Sequence, residues 1–84
     1  MANKYEYEVW MIQNDRVTFV NGRWRGPGNM AKMRPDELAR AIQSCPLIWD
    51  LLNERGREGW ELTNILNIES DGAIGSKAFL KRAF

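Results

Sequence analysis

A chain of 84 residues with one cysteine and no histidine has room for one domain, 1–84, and can brace it with neither an internal disulfide nor a Cys/His zinc site. Its 44% hydrophobic and 27% charged content excludes global disorder, and a net charge of +1 supplies no overall field for nucleic acid, which is not expected as a partner. No stretch approaches the ~18 consecutive apolar residues of a membrane span, and residues 1 to 25 lack a secretory-signal pattern, so a cytoplasmic chain with no membrane partner is expected.

Lys4 to Ile12 alternates as a strand, with Tyr5, Tyr7, Val9 and Met11 on one side and Glu6, Glu8, Trp10 and Ile12 on the other. The second side mixes Trp10 and Ile12 with charge, which suggests that it awaits cover from a loop or a second subunit. Asn14-Asp15 is a turn signal, and Asn21-Gly22 offers the positive-φ pair of a tight hairpin. The spacing predicts a short excursion: strand 16–20, turn 21–22, strand 23–25. Gly26-Pro27-Gly28-Asn29 then opens a loop that runs through Met33.

Pro35-Asp36-Glu37 marks a helix start, with Leu38, Ala41, Ile42 and Cys45 toward one side. Pro46 breaks that helix and a second follows, capped near Ser44 or Cys45. In the second helix Leu47, Ile48, Leu51, Leu52 and the stem of Arg55 form one stripe at about 100° per residue, which is expected to cover the sheet. Trp49 points away from that stripe, toward the preceding helix at the helix–helix corner, the excursion in the 20s or a neighbouring subunit. Glycine just past a helix enters the left-handed region without penalty, and Gly56 and Gly59 both stand near this end. A strand follows with Trp60, Leu62, Asn64, Leu66 and Ile68 on one side. Ser70-Asp71-Gly72 turns the chain into a last strand, where Gly75 marks a bulge or a close approach, and Ala78-Phe79-Leu80 has the two-sided bulk of a central strand.

The Tyr5-Glu-Tyr-Glu-Val9 strand, the helix end Leu51-Leu52-Asn53 leading to Gly56-Arg57-Glu58-Gly59-Trp60-Glu61-Leu62, and the closing Ala78-Phe79-Leu80-Lys81-Arg82 resemble domain of unknown function family 4177, small bacterial and phage-borne domains. The likeness covers the two ends, and residues 16–34 together with the first helix look like an insertion. It implies a β-α-β-β domain and brings no catalytic residues. The Gly-Trp-Glu-Leu motif explains itself structurally, with Gly59 allowing the helix-to-strand turn and Trp60 plugging the core beneath the helix.

Catalytic chemistry finds little to work with. Histidine, the usual base, is missing, and Cys45 beside Pro46 reads as a small buried apolar residue. Glu58 and Glu61 flank a turn and are expected to stay solvated, which leaves hydrolysis through them a distant third reading. No phosphate loop, dinucleotide fingerprint or metal cluster occurs, so neither enzyme activity nor a cofactor is expected. Arg16, Arg23, Arg25, Lys32 and Arg34 share a segment without acids, and Trp24 between two arginines could hold a nucleotide-like anion. The plainer reading makes Arg23 and Arg25 a solvated face and Trp24 an inward anchor.

The expected fold is α+β: a two-layer sandwich of strands 4–12, 60–69 and 74–83, β-α-β-β with an inserted hairpin, and helices 36–44 and 47–57 on one face. The last strand is expected between the other two, antiparallel to both. The leading functional expectation is a non-enzymatic interaction domain acting as a homo-oligomer through Trp10, Ile12 and Trp49. The alternative is a sequestering or sensing module for a small anionic ligand at Arg23, Trp24 and Arg25.

Overall fold

A computed structural model describes residues 4–70 and 73–84, and the turn residues Asp71 and Gly72 lie outside it. The strands are β1 (Tyr5–Gln13), β2 (Arg16–Val20), β3 (Arg23–Trp24), β4 (Glu61–Ser70) and β5 (Ala73–Ala83), and the helices are α1 (Pro35–Gln43) and α2 (Ile48–Arg57). They form the expected α+β sandwich. All five strands join one antiparallel sheet in the order β3-β2-β1-β5-β4, with β5 between β1 and β4. The 16–24 hairpin is therefore part of the sheet. Two positive-φ turns make this possible: Asn14 and Asp15 at φ 51° and 60° fold β2 back on β1, and Asn21 and Gly22 at 50° and 79° return β3.

The core lies on the face opposite to the one expected. Trp10, Ile12, Val17, Val20, Leu51, Ala78 and Leu80 form the buried cluster, with Ile48, Leu52 and Trp60 packed against it. Trp10 is fully buried and Ile12 is 6% exposed, so neither is available to a second subunit. The acids that made this face look polar are neutralised within the chain. Glu8 meets Arg55 from α2, and Glu6 meets Arg82 from β5 at 3.0 Å. The other face carries Tyr5, Tyr7, Val9, Met11, Phe79 and Phe19, with Lys77 and Lys81 among them. Tyr7 is 65% exposed there, where its hydroxyl can stay in water.

Two bulges correct the simple alternation. Register slips between Met11 and Ile12 against β2, and Thr18 becomes a buried extra residue whose hydroxyl donates to the Met11 carbonyl. Between Leu62 and Asn64 a second slip puts Leu62 opposite Leu80 but Asn64 opposite Phe79, so Leu62 and Asn64 face opposite ways. Gly75 is a close approach, since a Cβ there would stand 3.0 Å from the Ile12 carbonyl oxygen.

Helix α1 starts at Pro35, and Glu37 reaches back to accept from the Arg34 backbone N–H and Nε. Helix α2 has Leu47 at its cap position, with no side-chain cap from Ser44 or Cys45. The Ile48 N–H donates to the Asp15 carbonyl instead, and the Val17 N–H donates to Pro46. The hairpin turn thus supplies what the helix start lacks. At the other end Trp60 N–H bonds Arg55 O and Gly59 N–H bonds Gly56 O, a Schellman closure with Gly59 at φ 92°. No helix among the described residues is long and apolar enough to cross a membrane.

Candidate functional site

Two regions stand out once packing has used its residues: an open cleft beside β2 and β3, and the outer strand β4 with the sheet face next to it. The cleft, about 590 Å³, is lined by Glu8, Val20, Asn21, Arg23, Trp24, Arg25 and Arg55. Pairing across the hairpin sets its wall. Arg23 stands opposite the core residue Val20, while Trp24 stands opposite Phe19 on the other side of the sheet. The Arg25 N–H bonds Thr18 O, which carries the arginine side one step further along the cleft.

Glu8 forms the buried floor. Its Oε2 accepts from Trp10 Nε1 at 2.8 Å and from Arg55 Nε at 3.0 Å, with 9% of the Glu8 side chain and 18% of the Arg55 side chain exposed. Arg55 also donates through Nη1 to Glu58 at 3.1 Å. Burial works against the guanidinium charge, but the hydrogen bond to Glu58 and the charge and hydrogen bond of Glu8 outweigh it, so the Arg55 pKa rises above its ordinary value.

The expected ligand triad is therefore divided. Arg23 and Arg25 do line the cleft. Trp24 does so too, but its indole is already committed to its own loop, with Nε1 donating to Pro27 O at 3.2 Å and its ring 5.5 Å from that of Phe19. Gly26 lies under that ring so closely that a Cβ would fall 2.2 Å from Trp24 Cζ2. Trp24 anchors the hairpin against Phe19 on the face away from the core and not inward, and free stacking of a base on it would first require its release. Glu8, Asn21 and Arg55 were missed by sequence reasoning. One signal was present, because an arginine inside the apolar stripe of α2 calls for an acid on the sheet beneath it.

The other cations of the 16–34 segment have structural duties or solvent. Arg16 Nη1 donates to Cys45 O at 3.1 Å, Arg34 pairs with Glu37 at 2.8 Å, and Lys32 ends a short 3-10 turn. Cys45 is buried beneath them. Its burial pushes the thiol pKa up, and the charges of Arg16 and Arg25 only partly offset this. Glu58 is held by Arg55 and Glu61 stands opposite Lys81, and neither lines the cleft. The Arg82 guanidinium lies 4.6 Å over the Trp60 ring, which ties the Gly59-Trp60 turn to β5.

At the far edge, β4 is exposed along nearly its whole length. Leu62 and Ile65 are 41% and 43% exposed although they share the helix-covered side with Leu80 and Ala78. Leu66, on the other side, is 48% exposed. Trp49 is 51% exposed on α2, which overturns the reading in which it seals the corner between the helices. No family model, curated protein or solved structure matches the chain.

Proposed function

We propose that the protein is a non-enzymatic interaction domain that self-associates through the edge of β4 and the open sheet face beside it. The observation that carries this is the asymmetry of the two sheet edges. At one edge β3 is two residues long and ends in Gly26-Pro27-Gly28. At the other, β4 runs Glu61–Ser70 without a proline or lysine to discourage pairing, and it presents Leu62, Ile65 and Leu66 to solvent on its two faces. A second copy paired on this strand would satisfy its outward backbone groups and cover those side chains from both sides.

Sedimentation velocity at micromolar concentration tests the reading with the wild-type chain and the exposed-edge variants Ile65→Lys and Leu66→Lys. The expected result is a dimer or larger species for wild type and monomers for both variants, with unchanged circular dichroism. A monomeric wild type, or variants that associate as it does, would overturn the proposal.

A further inference from the structure

The cleft beside β2 and β3 holds an acceptor that the fold leaves unused. Both hydrogen bonds to Glu8 fall on Oε2, and Oε1 enters none among the described residues. No fully buried side-chain oxygen among those residues lacks a partner, so Oε1 keeps an open surface, and Glu8 lines the cleft. Arg23 and Arg25 line the same cleft, are exposed and form no salt bridge among the described residues. Arg55 is different, since Glu8 and Glu58 already absorb its charge.

This arrangement selects for two chemical features at once. Two unpaired guanidinium groups attract a carboxylate or phosphate and can bind it through paired N–H donors. A carboxylate oxygen with a free lone pair repels a simple anion and rewards an N–H donor, and beside a largely buried side chain that bond is stronger than in bulk water. We propose that the cleft binds a small anion that also carries an N–H donor, with the anionic group on Arg23 and Arg25 and the donor on Glu8 Oε1. The volume of about 590 Å³ lies within the ~300–1,000 Å³ of small-molecule pockets. This site is separate from the β4 edge, and its occupancy does not depend on self-association.

Titration of the isotope-labelled chain followed by two-dimensional NMR tests it, because the side-chain N–H signals of Trp10 and Arg55 both report on Glu8. Two matched pairs of probes separate the possible sources of the ligand: guanosine monophosphate against purine riboside monophosphate, which lacks N–H donors on the base, and glutamate against glutarate, which lacks the amine. At least one donor-bearing anion is expected to shift both signals saturably and to bind about tenfold or more tightly than its donorless counterpart. The double variant R23A/R25A, altered only at exposed positions, is expected to keep the folded spectrum and lose that binding about tenfold or more. The proposal is overturned if none of the four probes saturates, if each donorless anion binds as well as its partner, or if R23A/R25A binds like wild type.

Discussion

Arg55 Nε meets Glu8 Oε2 at 3.0 Å across 47 residues of sequence, and through that oxygen it shares a carboxylate with the Trp10 indole. This contact joins α2 to β1 and converts what reads as a charged sheet face into the inside of the domain. Removing Arg55 leaves the buried Glu8 carboxylate with the Trp10 indole but no opposite charge, which costs more than the intact pair contributes. Arg55→Ala is therefore expected to lower unfolding stability by about 3 kcal/mol in urea denaturation. Replacing both partners, Glu8→Gln with Arg55→Met, should recover part of that loss. A double variant less stable than the single one would show that the pair does more than neutralise itself.

Gly56 and Gly59 are three residues apart and should respond oppositely to alanine. Gly56 lies inside α2, and a Cβ there meets nothing within 4 Å. Gly56→Ala is expected to stabilise the protein by about 0.5 kcal/mol, because it removes backbone freedom from the unfolded chain. Gly59 also has room, with only Arg82 carbons at 3.6 and 3.8 Å, but its φ of 92° strains any L side chain. Gly59→Ala should cost about 1 kcal/mol or more. Thermal melting that moved both variants the same way would contradict this assignment of the helix end.

Cys45 gives the protein an alkaline dependence of known sign. Burial raises its pKa above the ordinary value of 9.0, so the folded state holds the thiol proton more tightly than the unfolded state. The stability gained is complete below that ordinary value, which the unfolded thiol keeps, and is lost as pH climbs through the folded value. Denaturation midpoints of wild type and Cys45→Ala should therefore differ by a constant amount at neutral pH and converge above about pH 9. Parallel curves to higher pH would rule the thiol out. The same burial predicts slow alkylation of Cys45 until the protein unfolds.

The regular elements were legible because each carries local punctuation. Asn21-Gly22, Pro35-Asp36-Glu37 and Gly59 mark a hairpin, a helix start and a helix stop by backbone geometry alone, and the element bounds fall within two residues of those expected. Facing was not legible to the same degree. A β1 side with two glutamates appears solvated until their arginines are known, and Arg55 and Arg82 arrive from distant elements. The slip at Thr63 was hidden as well, since bulges leave no obligatory residue type behind. For the cleft, Arg23 and Arg25 could be picked out by charge, whereas Glu8 became part of it only through the register of β1 and the approach of α2.

The borrowed start of α2 has a kinetic consequence. Its first amide is held by Asp15 O, and the preceding Pro46 carbonyl holds Val17, so the helix and the β1–β2 turn secure each other. A peptide of residues 47–57 would lack that partner, and at this length it should show little helix in water. Docking of the turn is thus expected to precede or accompany helix growth, a non-local step that slows folding relative to a domain whose helices nucleate alone. Hydrogen exchange at Ile48 and Val17 should then report one shared opening, with a common rate set by the separation of the turn from the helix start.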